Sequence, residues 1–133
     1  MIKQIEQVRN FHRAFNCPIL DTPTIPSKER VLLRHKLLQE EVSELFDASL
    51  AGDIVEVADG IIDCLYILFG TAHEFGLANL LPEMFDEVQK SNLSKLDKDG
   101  NAIFREDGKV IKSELFTKPN LKDIIYRHDT TKL

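Results

Sequence analysis

The segment from Asp53 to Gly76 is the most restrictive part of the sequence, because it is apolar on nearly every side and yet contains three acids on one stripe. Glu56, Asp59 and Asp63 follow one another at the spacing i, i+3 and i+7. At about 100° per residue, an α-helix places them within an arc of about 60°. A helix that is hydrophobic around the rest of its circumference is a buried one. The sequence therefore predicts carboxylates that face other protein groups.

A second acidic cluster precedes this segment. Glu40, Glu41 and Glu44 fall within about 100° of a helix surface. Leu33 and Leu37 lie on the same arc, one and two turns earlier, which is unusual for a solvated face. The sequence therefore predicts two successive helices that carry acidic groups on their packed sides.

Carboxylates that face one another need a cation, because an unpaired buried carboxylate costs several kcal/mol or becomes protonated. No lysine or arginine occurs between Lys36 and Lys90. The four histidines form no i, i+4 pair, and the two cysteines lie far apart, so no zinc site is indicated. Magnesium prefers oxygen ligands and is commonly completed by substrate phosphates. The spacing favours a magnesium site.

Each acid also has an ordinary interpretation when it is taken alone. Glu56 stands three residues after Asp53, which is the spacing of a capping box. Asp63 could hydrogen-bond to Tyr66 or to nearby backbone, and the glutamates of the first cluster could form a solvated helix face. The combination of two acidic arcs on successive helices favours the metal site over these alternatives.

The wider pattern predicts an all-α fold, an antiparallel helix bundle with a small C-terminal β-hairpin. The hairpin is expected around Asp107-Gly108, between the apolar runs 102–104 and 110–111. Helices are predicted from Ile2 to Phe15, from Ser27 to about Leu50, from Asp53 to about Phe75, from Asn79 to about Asn92, and from Asn120 to Tyr126.

Length and composition predict one globular domain over residues 1–133, with a helical core at about 28–92 and a hairpin and tail at about 93–133. The third long helix has more apolar surface than two neighbours cover, so we expect oligomerisation to complete the bundle, as a homodimer or homotetramer. The net charge of −5 disfavours nucleic acid as a partner. No secretion signal or membrane span is recognisable, so no membrane association is expected and the cytoplasm is the default compartment.

The two acidic clusters also resemble a family signature. Glu-Glu-x-x-Glu at Glu40, Glu41 and Glu44, followed by Glu-x-x-Asp at Glu56 and Asp59, is similar to the motif of the all-α NTP pyrophosphatase superfamily. That superfamily includes the MazG-like enzymes, the dimeric dUTPases, the dCTP pyrophosphatases and phosphoribosyl-ATP pyrophosphohydrolase. Residues 91–95 and 107–112 resemble the phosphoribosyl-ATP pyrophosphohydrolase-like branch, and the resemblance covers roughly residues 34–112.

The resemblance implies a magnesium-dependent enzyme, with manganese able to substitute, that hydrolyses a nucleoside triphosphate between the α- and β-phosphates. The products would be a nucleoside monophosphate and pyrophosphate. By matching positions, Glu41, Glu44, Glu56 and Asp59 would hold the metal. Glu40 would be a further ligand or the base that deprotonates the attacking water, and Glu41 would share the catalytic role.

Five residues are candidates for contacts with the nucleotide substrate. Lysine is a point-charge phosphate binder, and asparagine can hydrogen-bond to a base or a phosphate. The alternative is that lysines on a hairpin only increase solubility and that the asparagine only ends a helix. The candidates are Asp63, Asn92, Lys95, Lys109 and Lys112.

Three functions remain open at this stage. The leading one is house-cleaning hydrolysis of a canonical or modified nucleotide. The second is hydrolysis of phosphoribosyl-ATP in histidine biosynthesis, which the long segment after Asn92 disfavours. The third is an oligomeric module that binds a metal-nucleotide without hydrolysing it.

Overall fold

The computed structural model describes residues 1–127 and is mostly helical, with one two-stranded antiparallel hairpin. The predicted fold class is confirmed. The chain forms two compact units, Met1–Asn79 and Leu80–Leu133. Residues 128–133 of the predicted tail lie outside the described residues, and the assignment of 1–133 to one domain stays a prediction. None of the helices within residues 1–127 combines the length and apolar character that a bilayer span requires.

The helices begin and end close to the residues that the sequence indicated. One boundary differs, since Asn79 lies in a single 3-10 turn, Ala78–Leu80, and the fourth α-helix begins only after it. The elements are α1 (Ile2–Ala14), α2 (Lys28–Ala51), α3 (Ile54–Glu74), α4 (Leu81–Leu93), β1 (Ile103–Phe104), β2 (Val110–Ile111) and α5 (Leu121–Tyr126).

The turn between α2 and α3 is tight because each of its two residues ends or begins a helix. Gly52 ends α2 in the left-handed conformation, at φ 73°, which glycine adopts without steric cost. Asp53 begins α3, and its Oδ1 accepts hydrogen bonds from the amides of Val55, at 3.1 Å, and Glu56, at 3.2 Å. So short a connection makes α2 and α3 antiparallel neighbours, and both helices pack along their length.

The prediction that α3 is buried all round is wrong for the single chain. Its fully buried side chains lie at the C-terminal end, at Ala72, His73 and Glu74. The physical reason is that α2 and α1 are the helices that pack against it within Met1–Asn79, and the loop before α2 reaches only its C-terminal end, where the Leu20 amide donates to the His73 carbonyl at 2.9 Å. Part of its surface therefore has no neighbour. Six apolar side chains of α3 are between 42% and 75% exposed, namely Ile54, Val55, Ile61, Ile62, Leu65 and Leu68.

The second unit joins its hairpin segment to α4 through serine hydroxyls. Ser91, which is buried, donates from Oγ to the carbonyl of Thr117 at 2.8 Å, and Ser94 Oγ accepts from the Thr117 amide at 2.9 Å. Ser113 Oγ donates to the carbonyl of Leu96 at 2.7 Å. In the hairpin, which lies around Asp107-Gly108 as predicted, Ile103 pairs with Ile111 and Phe104 with Val110.

Candidate active site

Glu41 is the residue of the first predicted acidic cluster that lies partly inside the protein. It lies on the side of α2 that packs on α3, and it is only partly exposed. Its Oε2 atom is buried and has no hydrogen-bond partner within the described residues. Buried carboxylate oxygens are normally hydrogen-bonded or held by a cation, so an oxygen without either indicates a group that is prepared for a ligand.

The charges of other carboxylates act on Glu41. Burial is the main cause that raises the pKa of Glu41 above its ordinary value. The negative charge of Asp63 raises this pKa further, followed by the charges of Glu44, Glu40 and Asp59. These four side chains come from both helices, so the charges of both predicted clusters act on Glu41. The prediction that the acids lie on the packed sides is wrong for Glu40, Glu44, Glu56 and Asp59, which are exposed in the single chain.

Asp63 and Cys64 are the residues of α3 with the clearest electrostatic link to Glu41. Burial raises the pKa of the Cys64 thiol, and the charges of Glu41 and Asp63 raise it further. Asp63 is half-buried and has no protein hydrogen-bond partner within the described residues, so the alternative that it simply bonds to Tyr66 is not realised. Its charge has the largest electrostatic effect on Glu41, which makes Asp63 a candidate for direct participation in the acidic site.

Glu40 and Glu44 face a different direction from Glu41. They line an open groove on α2 with Lys36, Gln39 and Ser43. The roughly 100° between successive helix residues accounts for this separation. Glu40 and Glu44 are therefore the acids on the open side of the first cluster, and Glu41 is the acid on the packed side.

Glu56 forms only one of the two hydrogen bonds of a capping box with Asp53. The side chain of Asp53 accepts from the Glu56 amide, but the Asp53 amide donates to the carbonyl of Ala48 at 3.2 Å. The Asp53 amide therefore does not donate to the Glu56 carboxylate, which would be the reciprocal bond of a capping box. Glu56 and Asp59 are both exposed at the N-terminal half of α3.

The chemistry of this donor set fits a hard divalent cation, since it consists of carboxylate oxygens that repel one another and include the unpartnered oxygen of Glu41. Among residues 1–127, however, no three His, Cys, Asp or Glu side chains are placed so that they could hold an ion together. The assignment of Glu41, Glu44, Glu56 and Asp59 as the ligand set therefore stays a prediction.

The second unit brings two predicted substrate residues into contact. Lys95 Nζ donates to Asn92 Oδ1 at 2.9 Å, at the end of α4. Lys109 and Lys112 are exposed on the hairpin, and the Lys112 ammonium lies 4.6 Å from the centre of the Phe116 ring. The substrate roles of all four residues stay predictions, as does that of Asp63.

Sequence reasoning missed a buried ionic cluster at the opposite end of the α2–α3 pair. Glu74 is fully buried and accepts from Arg30 through Nε, at 2.9 Å, and Nη2, at 2.5 Å. Arg34 donates to the same carboxylate at 3.4 Å. This arginine is therefore paired, and its charge does not compensate the acidic cluster. The i, i+4 spacing of the two arginines was the only sequence signal of this cluster.

The sequence matches a known protein family over more than half of its length. The model of the family described as phosphoribosyl-ATP pyrophosphohydrolase matches residues 8–92, which is more than half of the chain and includes both clusters. No curated protein matches the chain significantly. The family is one of hydrolases that act on phosphoric anhydrides. The chain belongs to the phosphoribosyl-ATP pyrophosphohydrolase family.

Proposed function

We propose that this protein is a magnesium-dependent nucleoside triphosphate pyrophosphohydrolase that cleaves between the α- and β-phosphates and removes an unwanted nucleotide from the cell's pool. The observation that carries the proposal is Glu41, whose buried Oε2 has no partner while four other carboxylates act on it. Such an arrangement is stable when a divalent cation joins the acids, and magnesium bound to carboxylates is the usual partner of a polyphosphate.

In this proposal, the acids of α2 and α3 have different roles. Glu41, Glu44, Glu56 and Asp59 would hold magnesium, which when bound supplies positive charge that stabilises the developing charge on the phosphates. Asp63, the carboxylate with the strongest electrostatic effect on Glu41, would contact the metal-bound substrate.

The protons and bonds of the reaction can be followed at this site. Glu40, on the open side of the cluster, or Glu41 accepts a proton from a water molecule. The oxygen of that water forms a bond to the α-phosphorus, and the bond from this phosphorus to the bridging oxygen breaks. The bridging oxygen leaves with the electron pair as part of pyrophosphate, and the nucleoside monophosphate remains.

A second candidate substrate is phosphoribosyl-ATP, which the description of the matching family favours. The same bond, between the α- and β-phosphates, would be cleaved, so the acidic residues would keep their roles. The segment after residue 92 lies outside the matched range and contains the hairpin with its two exposed lysines. The length of this segment supports a substrate other than phosphoribosyl-ATP, whereas residues 107–112 within it resemble the phosphoribosyl-ATP pyrophosphohydrolase-like branch.

Association of two or four copies is part of the proposal, because the six exposed apolar side chains of α3 need a partner surface. A helix face of this kind is stable in water when a second helix pair covers it, as in a four-helix bundle. We expect the acidic site to lie close to that boundary, since α3 contributes to both.

The experiment is a panel of nucleoside triphosphates and phosphoribosyl-ATP with magnesium, scored for released pyrophosphate. Glu41→Gln is the diagnostic variant, because it keeps the shape of the side chain and removes its charge. We expect it to lower kcat/KM at least about 100-fold, the contribution of a general base or of a lost ligand. Glu29→Gln is the matched control, because it removes one exposed acid from the first turn of the same helix.

The outcomes separate the three functions. Release of pyrophosphate from ordinary or modified triphosphates supports the proposal, and release from phosphoribosyl-ATP alone assigns the second candidate. Activity that survives unchanged in Glu41→Gln contradicts the proposed site. Magnesium-dependent thermal stabilisation by a nucleotide analogue, with no product from any substrate, would identify a binding module.

A further inference from the structure

The buried cluster of Arg30, Arg34 and Glu74 connects α2 to the C-terminal end of α3. Glu74 is fully buried, and Arg34 is 7% exposed. Two charged partners that are both removed from water need precise mutual geometry, because desolvation otherwise exceeds their attraction. The fork of Arg30 satisfies both oxygens of Glu74, which is the bidentate arrangement of a strong pair.

Arg34 adds contacts that fix its position along the axis of α3. Its Nε donates to Thr71 Oγ1 at 3.0 Å, and its Nη2 donates to the carbonyl of Ile67 at 2.7 Å. These partners are one helical turn apart, so a sliding of α2 along α3 would break at least one of the bonds. Burial is the largest effect on Arg34 and lowers its pKa, which the charge of Glu74 opposes.

Gly70 makes room for this guanidinium. A β-carbon at that position would stand 2.6 Å from Arg34 Nη2 and 2.7 Å from His12 Nε2, which no ordinary packing allows. Glycine in the middle of a helix costs about 1 kcal/mol relative to alanine. The close approach of the Arg34 guanidinium explains why α3 has glycine at position 70.

One axial alignment of α2 and α3 determines the positions of both the arginine cluster and the acidic site. Glu41 lies about two turns after Arg34 on α2, and Cys64 lies about two turns before Thr71 on α3. The pKa of Cys64 responds to the charge of Glu41, which agrees with this register. Because a helix is rigid over two turns, a displacement of α2 at Arg34 also displaces the Glu41 carboxylate.

We propose that Arg34, through its contacts with Glu74, Thr71 and the carbonyl of Ile67, is a positioning residue that sets the axial register in which Glu41 of α2 meets Asp63 of α3. The inference rests on the proposed function, because it assigns to this register the binding of the divalent cation. Arg34 itself touches neither metal nor substrate in this proposal.

The test uses the full chain and Arg34→Lys, which keeps the positive charge and removes the fork. Mn²⁺ is the probe, and its dissociation constant is measured by electron paramagnetic resonance of the free ion. The magnesium concentration for half-maximal pyrophosphate release and kcat are measured alongside. We expect Arg34→Lys to weaken Mn²⁺ binding and to raise the half-activating magnesium concentration, each by about tenfold, as is typical of residues that orient metal ligands.

A matched control separates positioning from a general loss of stability. Val8→Ala removes volume from a buried site of α1 that has no part in the arginine cluster, and Val8 is 2% exposed. Both variants are measured well below their own Tm. We expect Val8→Ala to retain the wild-type Mn²⁺ affinity even where its Tm falls as far as that of Arg34→Lys.

Thr71→Val is the second variant if Arg34→Lys does not fold, because it keeps the branched side chain and removes the hydroxyl that accepts from Arg34 Nε and donates to the Ile67 carbonyl. It should weaken Mn²⁺ binding in the same direction by a smaller factor. Mn²⁺ affinity within twofold of wild type in whichever arginine-cluster variant folds would overturn the proposal, and so would the absence of Mn²⁺ binding by the wild type. Weakened Mn²⁺ binding in a protein that releases no pyrophosphate would support the positioning role and refute the proposed function alone.

Discussion

Gly60 of α3 lies so close to Leu45 of α2 that a β-carbon on the glycine would stand 3.0 Å from the Leu45 β-carbon and 3.1 Å from its α-carbon. One of these atoms belongs to the backbone, so a flexible side chain cannot absorb the whole contact. The two helices would have to separate by a few tenths of an ångström. The distance between the acidic clusters therefore depends on glycine at this position.

Gly60→Ala should weaken metal activation more than it changes stability. Alanine favours the helix by about 1 kcal/mol over glycine, which offsets part of the clash and keeps the change in Tm small. Because a displacement of 1 Å at a reacting centre costs on the order of 100-fold, we expect kcat/KM at limiting magnesium to fall by about fivefold. Tm and magnesium titrations of the same preparation provide the measurement.

The control for this variant is Ala58→Gly, which makes the opposite change at an exposed position of the same helix. It should lower stability by about 1 kcal/mol and leave magnesium activation unaltered. A Gly60→Ala protein with normal magnesium activation would show that the site tolerates a wider separation of α2 and α3.

The stability of the fold should decrease as the pH falls below about 6.5 because of His12. Burial is the main cause that lowers the pKa of this histidine below 6.5, while the bond from Nδ1 to the carbonyl of Pro18, at 3.0 Å, raises it. The charge of Arg34 lowers the pKa further, Glu74 raises it, and His73 lowers it.

The unfolded chain, in which this group has its ordinary pKa, binds more protons than the folded chain in the window below pH 6.5. The free energy of unfolding therefore rises with pH across that window. The stabilising contribution of neutral His12 is fully present above pH 6.5. Urea unfolding at several pH values from 5 to 7.5 measures this slope. His12→Asn, which retains a donor for the Pro18 carbonyl but does not titrate, should flatten it.

His35→Gln serves as the control, since His35 is exposed on α2. This variant should keep the wild-type slope. A slope that is equally steep in His12→Asn would assign the acid sensitivity to other groups.

The sequence was sufficient for most helix boundaries because the residues that set them act locally. Ser27 accepts from the Arg30 amide at 3.3 Å, and Gly52 and Asp53 form the turn that their residue types predict. The acidic stripes were predictable for the same reason, since the helical period alone places acids three, four or seven residues apart on one side.

Contacts between distant segments could not be read in this way. The pairing of Arg34 with Glu74 joins residues that are forty positions apart, and only the antiparallel packing of α2 and α3 brings them together. The apolar face of α3 was predicted to be buried and is exposed in the single chain. Hydrophobicity indicates that a helix face packs against other protein groups, but it does not identify the chain that provides them.

Lys95→Met tests the predicted phosphate contact in the second unit. Methionine keeps most of the apolar stem of lysine and removes the ammonium group that now donates to Asn92. If this charge binds phosphate equally in the ground state and the transition state, KM should rise by about tenfold and kcat should stay within about twofold of wild type. Steady-state kinetics with the best substrate of the panel measure both constants.

Lys98→Met is the appropriate comparison, because Lys98 is an exposed lysine only three residues further along the chain. It removes the same charge and should leave KM unchanged. Equal increases of KM in the two variants would show a general electrostatic effect of the basic segment, with no specific contact at Lys95.

Ile62→Glu should dissociate the predicted oligomer. Ile62 is 58% exposed on α3, and a carboxylate in the centre of an apolar interface would lose its hydration without gaining a partner. Sedimentation at micromolar concentration should show at least a dimer for the wild type and a monomer for this variant. Ile2→Glu adds the same charge at a residue of α1 that is 74% exposed, and it should not change the sedimentation coefficient. A wild-type chain that sediments as a monomer would refute the predicted assembly, since the apolar face of α3 would then be stable in contact with water.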